Sequence, residues 1–190
     1  MNRAIVVLSG MLFIIICSLT FQRTSEACSR LGKVNLSHTC NIAEYIVRAT
    51  AVEYARPPIP FHQTRGVPES KVRFKIEEVL KGDSLTGTIV LNGFLTDKDD
   101  FNDQSVPYPG VRLGGRHGNC YAFNYKQGAQ YLLFLKKASH IKWPRATTVF
   151  TVDIDPVAPV NEQLHSSDDP WVYYIKGLVR ELSENQKTGK

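Results

Sequence analysis

Only four of the 190 residues are cysteine, and they form no CxxC pair and no His/Cys cluster with the spacing of a zinc site. A structural metal of the protein's own is therefore not expected, and no cofactor of its own is implied. Histidine is equally sparse: His38, His62, His117, His140 and His165 are scattered through expected loops. GxSxG, HExxH and P-loop wording are all missing, so nothing here argues for an enzyme. Charge of one sign is also lacking. The formal balance of +5 is spread along the chain and gives no nucleic-acid footprint. One long apolar run exists, Ala4 to Leu19, with no second, and with a polar stretch at Glu181 to Lys190 a C-terminal lipid-anchor signal is not expected.

What is present begins with that run. Asn2-Arg3 precedes it, and Phe21 to Ala27 follows as a polar stretch ending Ser25-Glu26-Ala27. This order predicts a secretory signal peptide over residues 1–27, cut after Ala27. A membrane anchor is the competing reading, because the run approaches the shorter end of spanning lengths. The small-residue site behind it favours a secreted, extracellular chain with no membrane span after processing. Cleavage leaves Cys28 with a free α-amine, and that amine with the carbonyl oxygen of the same residue makes a two-toothed metal ligand. Cys28, Cys40 and Cys120 survive processing, so an oxidising compartment favours one bridge among them and leaves one thiol over. Asn35-Leu36-Ser37 is a glycosylation sequon.

The remaining chain is long enough for one domain with a core. Ala43 to Tyr54 reads as a strand, with helix as the alternative. Ala55 to Ser70 carries four prolines and reads as a loop. Lys71 to Leu80 alternates, turning Val72, Phe74 and Ile76 inward and Lys71, Arg73 and Lys75 to one outer face. That face is a solvated strand surface or a glycan-binding site. Lys81-Gly82-Asp83 is a turn, and Thr88 to Leu95 a third strand with Gly93 as a candidate bulge. Asp97 to Asn119 reads as a long polar loop. Its acids Asp97, Asp99, Asp100 and Asp103 match no calcium template and read as solvated. Cys120 to Tyr125, Gln130 to Lys136 and Thr147 to Asp153 are expected strands, the first two joined by a turn at Lys126-Gln127-Gly128. Asp169-Pro170 caps a helix over 170–183 with Trp171, Tyr174, Ile175, Leu178 and Leu182 on its core stripe. The expected architecture is mainly β, a small antiparallel barrel with a late helix. The expected division is a signal at 1–27, one domain at 28–155 and a C-terminal extension at 156–190.

Three pieces of wording together resemble the N-terminal, netrin-like domain of the tissue inhibitors of metalloproteinases. The mature chain starts Cys28-Ser29. A second cysteine twelve residues on opens Cys40-Asn41-Ile42-Ala43-Glu44-Tyr45-Ile46-Val47-Arg48-Ala49-Thr50-Ala51-Val52. A third, Cys120, precedes the Gly128 turn and Tyr131-Leu132-Leu133-Phe134-Leu135. The resemblance covers most of Cys28 to Asp153. It implies an OB-like five-stranded barrel and a Cys28–Cys120 disulfide. It also implies a secreted inhibitor of secreted or membrane-bound zinc metalloproteases. In that family the first residue chelates the zinc of the target protease through its backbone nitrogen and oxygen, a role that falls to Cys28. Ser29 would point into the specificity pocket, Arg30 and Leu31 would form the adjoining contact strand, and Gly118 and Asn119 the second edge. This sequence departs from the family at three points. Arg30 stands where the family has cysteine, nothing after Cys120 offers Cys40 its usual partner, and the six-cysteine C-terminal subdomain is absent. Cys40 is then a buried free thiol, an intermolecular bridge or a competitor for Cys28. The alternative function is a netrin-like binding module for extracellular matrix, glycans or a protein ligand, without inhibitory activity.

Overall fold

The computed structural model describes residues 34–60, 67–83, 85–116, 122–137, 154–156 and 161–188. In chain order the elements are α1 (Leu36–Ile42), β1 (Tyr45–Arg56), β2 (Lys71–Lys81), β3 (Thr88–Asn92) and β4 (Phe94–Thr96). A single 3-10 turn (Leu113–Gly115) follows, then β5 (Asn124–Lys126), β6 (Gln130–Lys137), β7 (Ile154–Pro156), β8 (Glu162–Gln163) and α2 (Pro170–Thr188).

The five consecutive apolar residues of β6 require cover on both faces. They have it, because β6 runs antiparallel to β1 in the middle of a sheet ordered β3-β2-β1-β6-β7, with β8 also pairing β6. Strand periodicity then sorts the side chains. Val47, Ala49, Tyr131, Leu133 and Leu135 face one way and pack with Val72, Phe74, Ile89, Leu91 and Tyr125. Ile46, Leu132 and Phe134 face the other way, under Cys40 and Ala43 and under Trp171, Val172 and Ile175 of α2. Each of these large apolar side chains contributes roughly 1.5–3 kcal/mol by leaving water. The stretch expected as an extension thus supplies one wall of the second core.

The chain is mainly β with an antiparallel sheet and a C-terminal helix. The sheet is not closed: β3 and β7, its two ends, approach within 8 Å between Cα atoms without pairing. Several expectations are corrected. Cys40 does not open a strand but lies in α1, whose start is capped by Asn35 and whose last carbonyls accept from Lys81 Nζ. The expected third strand breaks at Gly93. Ser70 and Gly93 exchange two hydrogen bonds there, and β4 leaves the sheet to pair in parallel with β5. A Cβ at Gly93 would stand 2.5 Å from the Tyr125 ring, so the crossing requires glycine. The strand expected over Cys120 to Tyr125 begins at Asn124. The helix expected over 170–183 continues to Thr188. Tyr174 does not join the core: it is 40% exposed and stacks flat on Trp171, while Val172 is buried in its stead. The expected strand Thr147 to Asp153 lies outside the described residues.

Candidate functional site

Cys28, Ser29, Arg30, Leu31, Gly118, Asn119 and Cys120 all lie outside the described residues, and with them the expected zinc-binding edge and disulfide. Their flanks are described. The amide of Val34 donates to the carbonyl of Pro109 at 3.2 Å, so the chain arriving from Leu31 is stitched to the segment that leads towards Gly118. Val34 and Leu36 pack onto the second core.

The 97–116 segment is a loop with a solvated side, as expected, and a buried side that was not. Tyr108, Val111, Arg112 and Asn102 are buried within it. Asp97, Asp99 and Asp103 are exposed, as expected, but three of its four acids also pair with cations. Asp99 pairs with Lys126 at 2.7 Å, Asp100 with Arg112, and Asp103 with Arg116 at 2.5 Å. The Lys126 and Arg116 hydrogen bonds hold the carboxyls of Asp99 and Asp103 below their ordinary range. No group of three His, Cys, Asp or Glu side chains that could hold a metal occurs among the described residues.

Arg112 is the hub. Its side chain has no exposure, and four of its N–H bonds are accounted for. Nε donates to Asn161 O at 2.9 Å, Nη2 to Ala122 O at 3.0 Å, and Nη1 to both Asn124 O at 2.8 Å and an Asp100 oxygen. The guanidinium carbon lies 5.3 Å from the ring centres of both Tyr125 and Tyr131, within cation–π range. Burial pushes the Tyr131 hydroxyl up to about 12, the Arg112 charge opposing it. One guanidinium therefore ties together the 97–116 segment, the chain on the far side of Cys120, and the approach to β8. A planar fork with fixed donor directions can do this where a lysine cannot.

The polar residues before α2 complete the clamp. The Asn161 side chain accepts from Phe134 N at 3.1 Å, and the Gln163 side chain accepts from Asp100 N at 2.8 Å. Gln163 Nε2 donates to Asp99 at 2.6 Å. Asp169 caps α2 through Trp171 N and also accepts from His165 N, both at 2.9 Å. An open cleft of about 600 Å³ lies beside these residues, walled by the stacked rings of Phe101 and His165 at 3.9 Å and by Asp99, Lys126 and Gln130. Asp99 and Lys126 are committed to each other within it. Sequence reasoning missed Arg112, Asn161, Glu162 and Gln163. No periodicity marks three consecutive polar residues as buried.

The cationic face on β2 is as alternation predicts, but it is partly neutralised. Arg73 pairs with Glu53 and Lys75 with Glu77 at 3.4 Å, while Lys71 stands opposite Arg56. Asn35 is exposed, and its side-chain oxygen accepts from His38 N at 2.9 Å, so the sequon forms the first turn of α1. Cys40 is a free, wholly buried thiol, pushed up to about 11 by burial against the opposing charge of Lys81. No helix among the described residues is long and apolar enough to cross a membrane. No protein-family model matches the chain, and no curated protein matches it in sequence.

Proposed function

We propose that this chain is a secreted inhibitor of zinc metalloproteases, acting through the free amine and carbonyl oxygen of Cys28. The observation that carries the reading is the wording Ser25-Glu26-Ala27 directly before Cys28-Ser29, behind the apolar run Ala4 to Leu19, which reads as a signal-peptidase site. A catalytic zinc keeps a coordination position open for water. A neutral amine and a carbonyl occupy it by closing a small chelate ring. The α-amine has an ordinary pKa of roughly 8, so giving up its proton to the metal costs little near neutrality. A Cys28–Cys120 bridge would order this end before binding, offsetting roughly 1–2 kcal/mol for each residue that must otherwise be fixed.

The described flanks support this reading. Val34 is bonded to Pro109, and the Arg112 hub holds the chain on both sides of Gly118 and Asn119. An OB-like barrel is part of the same proposal, the near approach of β3 and β7 being its support. Ser29 would then enter the specificity pocket, with Arg30 and Leu31 along the cleft. Arg30 in place of the family's cysteine favours the second reading, a netrin-like module that binds matrix, glycans or a protein ligand without inhibiting.

One extra alanine before Cys28 separates the two. The authentic secreted chain should inhibit members of a panel of purified zinc endopeptidases, and the extended chain should not. An authentic Cys28 terminus that inhibits none of them overturns the proposal.

A further inference from the structure

Glu162 is wholly buried, and neither carboxylate oxygen has a hydrogen-bond partner among the described residues. A buried carboxylate without partners is a costly group, and a buried carboxylic acid much less so. Its surroundings explain the lack. Arg112, the adjacent cation, already spends four of its N–H bonds on Asn161, Asn124, Ala122 and Asp100. Two carboxylates therefore face one guanidinium, and Asp100 is the one that is bonded. The 97–116 segment presents Arg112, Asp100 and Tyr108 to Glu162. From β6, Leu132 stands at the paired position with Tyr131 beside it. Asn102 and the Arg112 backbone amide lean towards Glu162 and favour its charged form, without well-formed hydrogen bonds to either oxygen.

We infer that Glu162 is a proton-operated joint between β8 and the 97–116 segment: uncharged, it leaves Arg112 to hold that segment, and charged, it competes for the same guanidinium and loosens the hold. Burial pushes the carboxyl up to about 7, with Arg112 acting in the opposite direction. The folded protein thus keeps this proton longer than the unfolded chain does. The stabilisation is complete below the ordinary glutamate range and is lost as pH rises through about 7. The joint does not depend on what the protein binds.

The test uses the full secreted chain with 13C-labelled glutamate. The Glu162 carboxyl should titrate well above the other glutamates. Amide protection of Gly114, Gly115 and Arg116, corrected for intrinsic exchange, should fall by up to roughly tenfold per pH unit between about pH 5 and pH 7 and level off above that. Glu162→Gln should remove that pH dependence. Titration of Glu162 in the ordinary glutamate range overturns the inference, as does a glutamine variant whose protection still falls. Should the variant not fold, the wild-type titration decides alone.

Discussion

Asp100 binds the buried guanidinium of Arg112 with one carboxylate oxygen and receives the amide of Gly114 on the other at 2.8 Å. The two residues thus fix the entry into the 3-10 turn, and a Cβ on Gly114 would fall 2.5 Å from the same carboxylate. Removing one member of a buried pair leaves the other charge uncompensated, which costs roughly 3–5 kcal/mol. Arg112→Met should lower stability to chemical denaturation by about that amount, and Arg112→Lys by only somewhat less, because the backbone acceptors remain unmet. Near-wild-type stability of Arg112→Lys would show that charge alone, not the fork, holds the segment.

Two glycines with similar backbone and different surroundings provide an internal control. Gly82 has φ +100 and Gly87 φ +89. A Cβ at Gly82 would meet the Tyr45 ring at 2.5 Å and the Glu44 carbonyl at 2.6 Å, while one at Gly87 meets nothing within 4 Å. Gly87→Ala should cost about 1 kcal/mol from backbone strain alone. Gly82→Ala should cost clearly more, since the clash adds to the strain. Equal melting temperatures for the two variants would remove Tyr45 as the cause.

Asn35 serves two purposes, a sequon and a helix cap, and substitution can part them. Asn35→Asp should abolish any glycan, seen as a mass loss in protein expressed through a eukaryotic secretory host, while keeping the cap of α1. Asn35→Ala should lose both and cost about 1 kcal/mol more than aspartate when unglycosylated forms are compared by denaturation. If aspartate and alanine prove equally stable, the His38 hydrogen bond contributes nothing.

Cys40 should be inert in the folded protein. Its thiol is buried and is pushed up to about 11, so the thiolate needed for reaction is scarce at neutral pH. An aromatic disulfide reagent should modify it only at the rate of unfolding, with full reaction in denaturant. Fast modification of native protein, or a dimer joined through Cys40, would contradict the buried free thiol.

Much of the fold was legible because its signals are periodic. The alternation of Lys71 to Leu80, the unbroken apolar run of β6, and Asp169-Pro170 ahead of α2 each state their element through local physics. The 97–116 segment was opaque for the opposite reason. Its burial is set by Arg112 meeting carbonyls from Ala122, Asn124 and Asn161, contacts that no local window contains. The same holds for Glu162, whose side chain faces inward only because β8 happens to pair with β6. Tyr174 has the right helical spacing for the core but yields its place to Val172, since periodicity fixes a stripe and not its edges. Of the expected inhibitory edge, the sequence supplies the residue types, and the described flanks supply the anchoring of Val34 and Arg112.

The packing of α2 also sets how short the polypeptide can be made. Trp171, Val172 and Ile175 roof over Ile46, Leu132 and Phe134. A fragment ending before Asn161 would present those three side chains to solvent as a greasy, sticky plate and would also deprive Arg112 of an acceptor. Anyone trimming the molecule to residues 28–155 should therefore expect precipitation rather than a smaller folded unit, unless the tail travels with it.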